Sequence, residues 1–243
     1  MGVVTDQPHR LSPAPLPGAA RGDEPDRAVA HVRDGGLLLL PTDTVYGIGT
    51  TAADGAAIAR LLAAKGRGRQ MPPPVLIASM EDLTGLVAQV PAAARDLADA
   101  FWPGGLTLVL PLAEGVDWDL GDTGGTVAVR VPDHPLARDL LSRTGPMAVT
   151  SANRTGMPPA TDAHQAAAAF GRRAEPGGDI LVLDGGPTPG PVPSTIVSLA
   201  GERDDAPRLL REGVVAAGAL ERVLGAPLPG AGPAGARPAE AAR

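Results

Sequence analysis

The segment Lys65-Gly-Arg67-Gly-Arg69 spaces three cations with glycines behind a helical stretch. Such a trio can wrap an anion, Arg giving bidentate contacts and Lys a compact point charge, and triphosphate is the obvious candidate. Part of the same charge can instead complement a helix C-terminus. Thr126-Val-Ala-Val-Arg130 puts its two polar side chains four residues apart, on one face of a strand. An Arg on the inward face of a sheet needs an anionic partner, since an unpaired buried charge is very costly. A protein carboxylate meets that need as well as a ligand carboxylate or phosphate does. Pro41-Thr-Asp-Thr-Val-Tyr-Gly-Ile-Gly49 leaves an apolar run and enters a glycine turn. Its hydroxyls, Thr42, Thr44 and Tyr46, alternate along the chain and form a polar face suited to a small polar ligand. Gly47-x-Gly49-x-x-Ala52 superficially matches a dinucleotide fingerprint, which needs an acidic residue about 20 positions on; position 69 is Arg69. Thr150-Ser-Ala-Asn153, Pro193-Ser194-Thr195 and Arg208 to Arg211 add polar groups at the ends of apolar runs. Ser and Asn there serve equally as ordinary turn residues.

Several chemistries are excluded. There is no Gly-x-x-x-x-Gly-Lys-Ser/Thr, so an ATP site here is not a Walker-type loop, and no Gly-x-Ser-x-Gly elbow to support a hydrolase triad. The four His residues lack metal-ligand spacing, so no protein-held metal is expected. Zero Cys rules out disulfides, zinc-thiolate sites and a Cys nucleophile, and fits a reducing compartment. The net charge of −6 with no long basic run argues against a non-specific nucleic-acid coat. No apolar run is long enough to span a bilayer and no signal peptide is visible, so a cytoplasmic protein is expected.

The elements that must position these groups are legible in outline. Of 243 residues, 32 are Gly and 27 Pro, yet 44% are apolar, enough for a core. Residues 1–24, with four Pro and no apolar periodicity, and residues 225–243, mostly Ala, Gly and Pro, read as disordered tails around one domain at 25–224. Within it, helices are expected from Pro25 to Gly35, from an Asp54 cap to Ala64 with Gly66 as the stop, after a Ser79/Asp82 capping box, and from Pro91 to Phe101. Further helices run from an Asp133 cap to Ser142, from a Thr161 cap to Phe170, and over 216–224. Strands are expected at 37–40, 74–78, 106–110, 126–131, 147–150, 180–183, 195–199 and 208–210. Helices and strands interleave first and strands then bunch together, which favours an α/β fold with a mixed sheet.

Taken in order, PTDTVYGIG (41–49), KGRGR (65–69), FWPGGLTLVL (101–110), TVAVRVPDHP (126–135), TSANRTGMPPAT (150–161), LDGG (183–186), PSTIV (193–197) and RLLREG (208–213) resemble the YrdC-like family of threonylcarbamoyl-AMP synthases. The resemblance implies a twisted mixed β-sheet flanked by helices with a large basic cleft. It implies that L-threonine, bicarbonate and ATP, with Mg2+ carried by the ATP phosphates, give threonylcarbamoyl-AMP and pyrophosphate. A separate transferase system would then modify tRNA beside the anticodon. Residue by residue, Thr44, Arg130, Ser151 and Ser194 match threonine-binding positions. Arg67, Thr126, Asn153, Thr161 and Arg211 match nucleotide contacts, with Lys65 beside them, and Lys65 and Arg67 would neutralise phosphate charge during attack at the α-phosphorus. Arg130 would then find its anion in the amino acid's carboxylate.

Four positions depart from the family pattern: Gly68 stands for a Pro, Pro73 for a Leu, Met71 for a frequent Asn near nucleotide, and Leu76 for a frequent His near threonine. Two extra glycines predict a mobile loop that orders only on ATP binding. A relative that has lost synthesis and binds RNA or ribosomes through the same cleft is the rival expectation. A hydrogenase-maturation carbamoyl-adenylate module, a third, normally brings zinc-finger cysteines that this chain lacks.

Overall fold

The structure, a computed structural model, describes residues 24–154, 156–175, 178–200 and 207–230. Most of the two expected tails therefore lies outside the described residues. Glu24 already belongs to the first helix, and residues 225–230 lie against the body, where the Leu228 N–H donates to Glu221 Oε1 at 3.0 Å.

Among the described residues the helices are α1 (Glu24–Arg33), α2 (Gly55–Lys65), α3 (Ala92–Phe101), α4 (Pro135–Thr144), α5 (Ala163–Phe170) and α6 (Ala217–Leu224). The strands are β1 (Leu37–Leu40), β2 (Gly47–Thr51), β3 (Val75–Leu76), β4 (Leu106–Pro111), β5 (Thr126–Arg130), β6 (Met147–Ser151), β7 (Ile180–Val182), β8 (Thr195–Ser198) and β9 (Arg208–Arg211). They form one sheet in the order β7-β1-β2-β6-β3-β5-β4-β8-β9, with β1–β7, β3–β5 and β4–β8 parallel and the other pairs antiparallel. The sheet is mixed, as the bunching of late strands predicts.

Helices cover both faces. In β1, Leu38 and Leu40 join Val29 and Val32 of α1 and Leu140 and Leu141 of α4, while Leu37 and Leu39 face Ile58 and Leu61 of α2 and Ala166 of α5. That alternation lets four consecutive leucines all be buried. Segment 47–51, expected to be a glycine turn, is instead a strand. A Cβ on Gly47 would come within 2.5 Å of Val149 Cγ1, and one on Gly49 within 2.7 Å of the Ala148 carbonyl. The glycines serve close cross-strand approach, with Gly47 opposite Ser151.

Helix ends follow the expected chemistry with shifts of a residue. Asp54 Oδ1 accepts from Ala56 N at 2.8 Å and caps α2. Asp162, not Thr161, caps α5, because its carboxylate reaches Gln165 N at 2.8 Å. His134 rather than Asp133 occupies the α4 cap position, with no side-chain cap bond. The Ser79/Asp82 pair opens a single 3₁₀ turn (Met80–Leu83), and the strand expected at 74–78 shrinks to β3.

Candidate active site

Helix α2 ends at Gly66, whose φ of +62° is the left-handed conformation glycine adopts without a Cβ penalty. The Gly66 and Arg67 N–H groups donate back to Ala63 O and Leu62 O, so the chain reverses and both cations turn towards the end of β6. Lys65 is 3% exposed. Its ammonium donates to Ser151 O at 2.6 Å, to Asn153 O, and to Asn153 Oδ1 at 3.4 Å. Ser151 Oγ donates to Asn153 Oδ1 at 2.5 Å, and Asn153 Nδ2 donates to the Arg154 and Met157 carbonyls. Lys65, Ser151 and Asn153 thus form one knot. Arg67 Nη1 donates to Thr150 Oγ1 at 2.9 Å, while its buried Nε has no partner among the described residues. Burial and the neighbouring Arg67 push the Lys65 ammonium down from 10.5 to about 7.

Arg130 stands at the end of β5 with its side chain 6% exposed. Nη2 meets Asp43 Oδ1 at 2.5 Å, Nη1 donates to Thr44 Oγ1 at 3.0 Å and Nε to Gly104 O at 2.9 Å. Of the two partners the spacing left open for this charge, the protein carboxylate is present: Asp43, 87 residues away in sequence, pairs with Arg130. Of the five guanidinium N–H groups, three are spent on these bonds.

Ser194 Oγ lies 2.9 Å from Thr107 Oγ1, and Arg211 Nη2 donates to Ser194 O and Oγ at 2.7 and 3.2 Å. Burial lowers Arg211, and Arg130 and Arg67 act on it in the same direction. Lys65, Arg67, Arg130 and Arg211 therefore share one region with Thr44, Ser151, Asn153 and Ser194.

The remaining expected residues stand differently. Thr126 is at the far end of β5, about 13 Å along the strand from Arg130, where its hydroxyl donates to Thr123 O at 2.8 Å. Thr161 abuts the β1–β2 connection, since Tyr46 N donates to Ala160 O at 2.9 Å. Arg69 leaves the cationic trio: its guanidinium forks onto Asp119 at 2.6 and 3.0 Å and its Nε lies 3.5 Å from Asp122. The 66–72 loop is tethered there, and a Cβ on Gly121 would strike Arg69 O at 2.6 Å. Of the three alternating hydroxyls of 42–46, Thr42 and Thr44 lie 3.0 Å apart, while Tyr46 bonds elsewhere. Thr42 Oγ1 closes a turn by donating to Val45 O at 2.7 Å and accepting Val45 N at 3.3 Å. Tyr46, fully buried, donates to Gly186 O at 2.8 Å and pins the 184–186 turn, and burial raises its phenol. Leu76 is buried beside Arg130 in register on β3, and Met71 is exposed.

Asp43 and Thr150 are site residues that motif spacing overlooked. Asp43 carried a signal, the only acid between β1 and β2; Thr150 carried none beyond lying next to Ser151. Among the described residues no cluster of three or more His, Cys, Asp or Glu could hold a metal ion.

The Sua5/YciO/YrdC family model, described as "Telomere recombination", matches residues 30–213. A provisionally named threonylcarbamoyl-AMP synthase of Mycobacterium tuberculosis is 49% identical over 199 residues, 82% of this chain and 88% of that one. The threonylcarbamoyl-AMP synthase of Bacillus subtilis is 40% identical over 202 residues, 82% of this chain and 56% of its own. The crystal structure of Pyrococcus abyssi Sua5 complexed with L-threonine superposes with a TM-score of 0.76 at 39% identity, covering 84% of this chain. The chain thus spans 58% of that structure's length and 56% of the Bacillus relative. With the mixed sheet, the cation-rich site and a family match across nearly the whole folded body, the chain belongs to the Sua5/YciO/YrdC family.

Proposed function

We propose that the chain is an L-threonylcarbamoyladenylate synthase acting in the cytoplasm, where ATP, free threonine and tRNA meet. Among the described residues no helix is long and apolar enough to cross a membrane. The observation that carries the reading is the gathering of Lys65, Arg67, Arg130 and Arg211 beside Thr44, Ser151, Asn153 and Ser194. Four neighbouring cations, of which Lys65 is lowered by burial and by Arg67, and Arg211 by burial, Arg130 and Arg67, call for a polyanion, and a triphosphate supplies one.

The threonine carboxylate is held by the two Arg130 N–H groups not spent on protein, beside the Thr44 hydroxyl. The threonine amine adds to bicarbonate with loss of water, giving a carbamate. A carbamate oxygen then attacks the α-phosphorus of ATP, and pyrophosphate leaves with its bond electrons. Arg67, Arg211 and Lys65 offset the charge that builds on the phosphates, so the protein contributes positioning and electrostatics and no nucleophile. Apart from Asp43, which is paired with Arg130, the site presents cations, hydroxyls and an amide, so Mg2+ would be carried by ATP itself and would supply further charge neutralisation. Asn153, Thr161 and Thr126 then bear on the nucleotide. The product passes to a separate transferase system that modifies tRNA next to the anticodon.

Pyrophosphate release from ATP, with threonine and bicarbonate omitted in turn, tests this. The expected outcome is release that needs both. Release indifferent to threonine, or none at all, overturns the reading and returns the basic site to RNA binding without synthesis.

A further inference from the structure

We infer that Val214 forms the apolar wall against the γ-methyl of the amino acid substrate and so sets the preference for threonine over serine. The inference rests on the synthase reading above. Threonine and serine share a carboxylate, an amine and a hydroxyl, so Arg130, Thr44 and Ser194 treat them alike. Only an apolar contact at the methyl can separate the two.

Val214 is where such a contact is available. It directly follows the 208–213 segment that carries Arg211, and it is 47% exposed. Its neighbour Val215 packs against the core, and Val214 does not. Gly105 explains how it is seated. A Cβ there would lie 2.1 Å from Val214 Cγ2 and 3.4 Å from Thr44 Cγ2. The missing side chain lets the Val214 methyl drop onto the backbone close to the Thr44 methyl. The same glycine pair carries the Arg130 anchor, since Gly104 O accepts from Arg130 Nε. An apolar side chain therefore stands beside the hydroxyl and guanidinium that face the substrate.

It is also held rigidly. Thr195 Oγ1 accepts from Gly213 N at 2.9 Å and from Val215 N at 3.0 Å, and donates to Val215 O at 2.7 Å. Val214 N donates to Pro193 O at 3.0 Å. A Cβ on Gly213 would meet Pro193 O at 2.3 Å, so the two segments lie in close apposition. A half-exposed valine fixed on both sides cannot fold away from water. An apolar ligand group covers it.

The test compares kcat/KM for threonine and for serine, by pyrophosphate release, in the full chain, in Val214→Ala and in Val214→Ile, with the KM for ATP measured alongside. Val214→Ala should lower the threonine-to-serine ratio about five- to tenfold through a raised KM for threonine, with the KM for ATP unchanged. Val214→Ile fills the space the methyl takes and should lower the ratio too, by penalising threonine more than serine. Thermal melts confirm that both variants fold. An unchanged ratio in both, with the unmodified chain still threonine-dependent, overturns the role of Val214 and leaves the synthase reading standing. An unmodified chain that releases no pyrophosphate with threonine overturns that reading and this inference with it.

Discussion

Lys65 is the one lysine in a chain with 20 arginines, and its surroundings account for the choice. Its ammonium sits among Ser151 O, Asn153 O and Asn153 Oδ1, a compact cradle of oxygens that a planar, forked guanidinium does not fit. These acceptors favour the charged form; burial and Arg67 oppose it and prevail, bringing the group to about 7. The unfolded chain holds this proton up to 10.5, so between about pH 7 and 10.5 it binds more protons than the folded one, and this group's contribution to stability rises with pH across that window. Bound phosphates reverse the local balance by raising the pKa. ATP binding at pH 7–8.5 should therefore take up protons, and ATP affinity should fall as pH rises above about 7. Calorimetry in buffers of different ionisation enthalpy reads the uptake directly. Affinity constant from pH 6.5 to 8.5, with no proton exchange, would sink this account. Asp43 shows the other side of the residue scale. Spacing alone identified that Arg130 needs an anion, but its partner lies 87 positions away, and only the fold brings the two together.

Elements were legible where local chemistry decides them. Asp54 and Gly66 bracket α2 as their types demand, and the bare leucines of β1 read as a strand buried on both faces. Strand β2 was not legible. Its glycines look like a turn until Val149 and the Ala148 carbonyl are seen to occupy the space their side chains would need. Gly66 carries a testable consequence, because it aims Arg67. Beyond its chain neighbours, no atom of the described residues lies within 4 Å of where its Cβ would be, so Gly66→Ala should cost only the backbone term, about 1 kcal/mol of stability in urea melts. The KM for ATP should rise as the reversal relaxes. A neutral effect on both would mean that the left-handed cap does not direct the loop. Beyond it, the Arg69 fork onto Asp119 ties the basic loop to the hairpin that ends at Thr126. Both partners are more than half exposed, so salt screens the tie. Arg69→Gln should raise the KM for ATP at low salt and abolish much of its salt dependence. An identical salt response in the variant would sever the loop tether from nucleotide binding.

Across the whole molecule, segments from Thr44 to Arg211 are gathered by a sheet whose order is far from chain order. That is why the site was visible as motifs and not as a shape. The chain is acidic overall, at −6, yet collects four cations in one place, with Arg130 paired to Asp43. Without a ligand anion, Arg67 repels Lys65 and Arg211, and the buried Arg67 Nε adds a donor with no partner among the described residues. The ligand-free protein is therefore expected to be less stable than its sheet and core would permit, a cost that substrate removes. Arg67→Met keeps much of the apolar stem, relieves the repulsion on Lys65 and Arg211, and leaves half-buried Thr150 free to turn to water. Without ligand it should melt higher than the unmodified chain, by about 1 kcal/mol or about 3 °C for a domain of this size. With ATP the order should invert. The unmodified chain gains about 2.7 kcal/mol at a hundredfold excess over Kd, and the variant gains little because its phosphate contact is gone. Paired melts with and without ATP decide it: a variant that melts lower in both states would make Arg67 a structural residue, and one that keeps the full ATP shift would take it out of the nucleotide site.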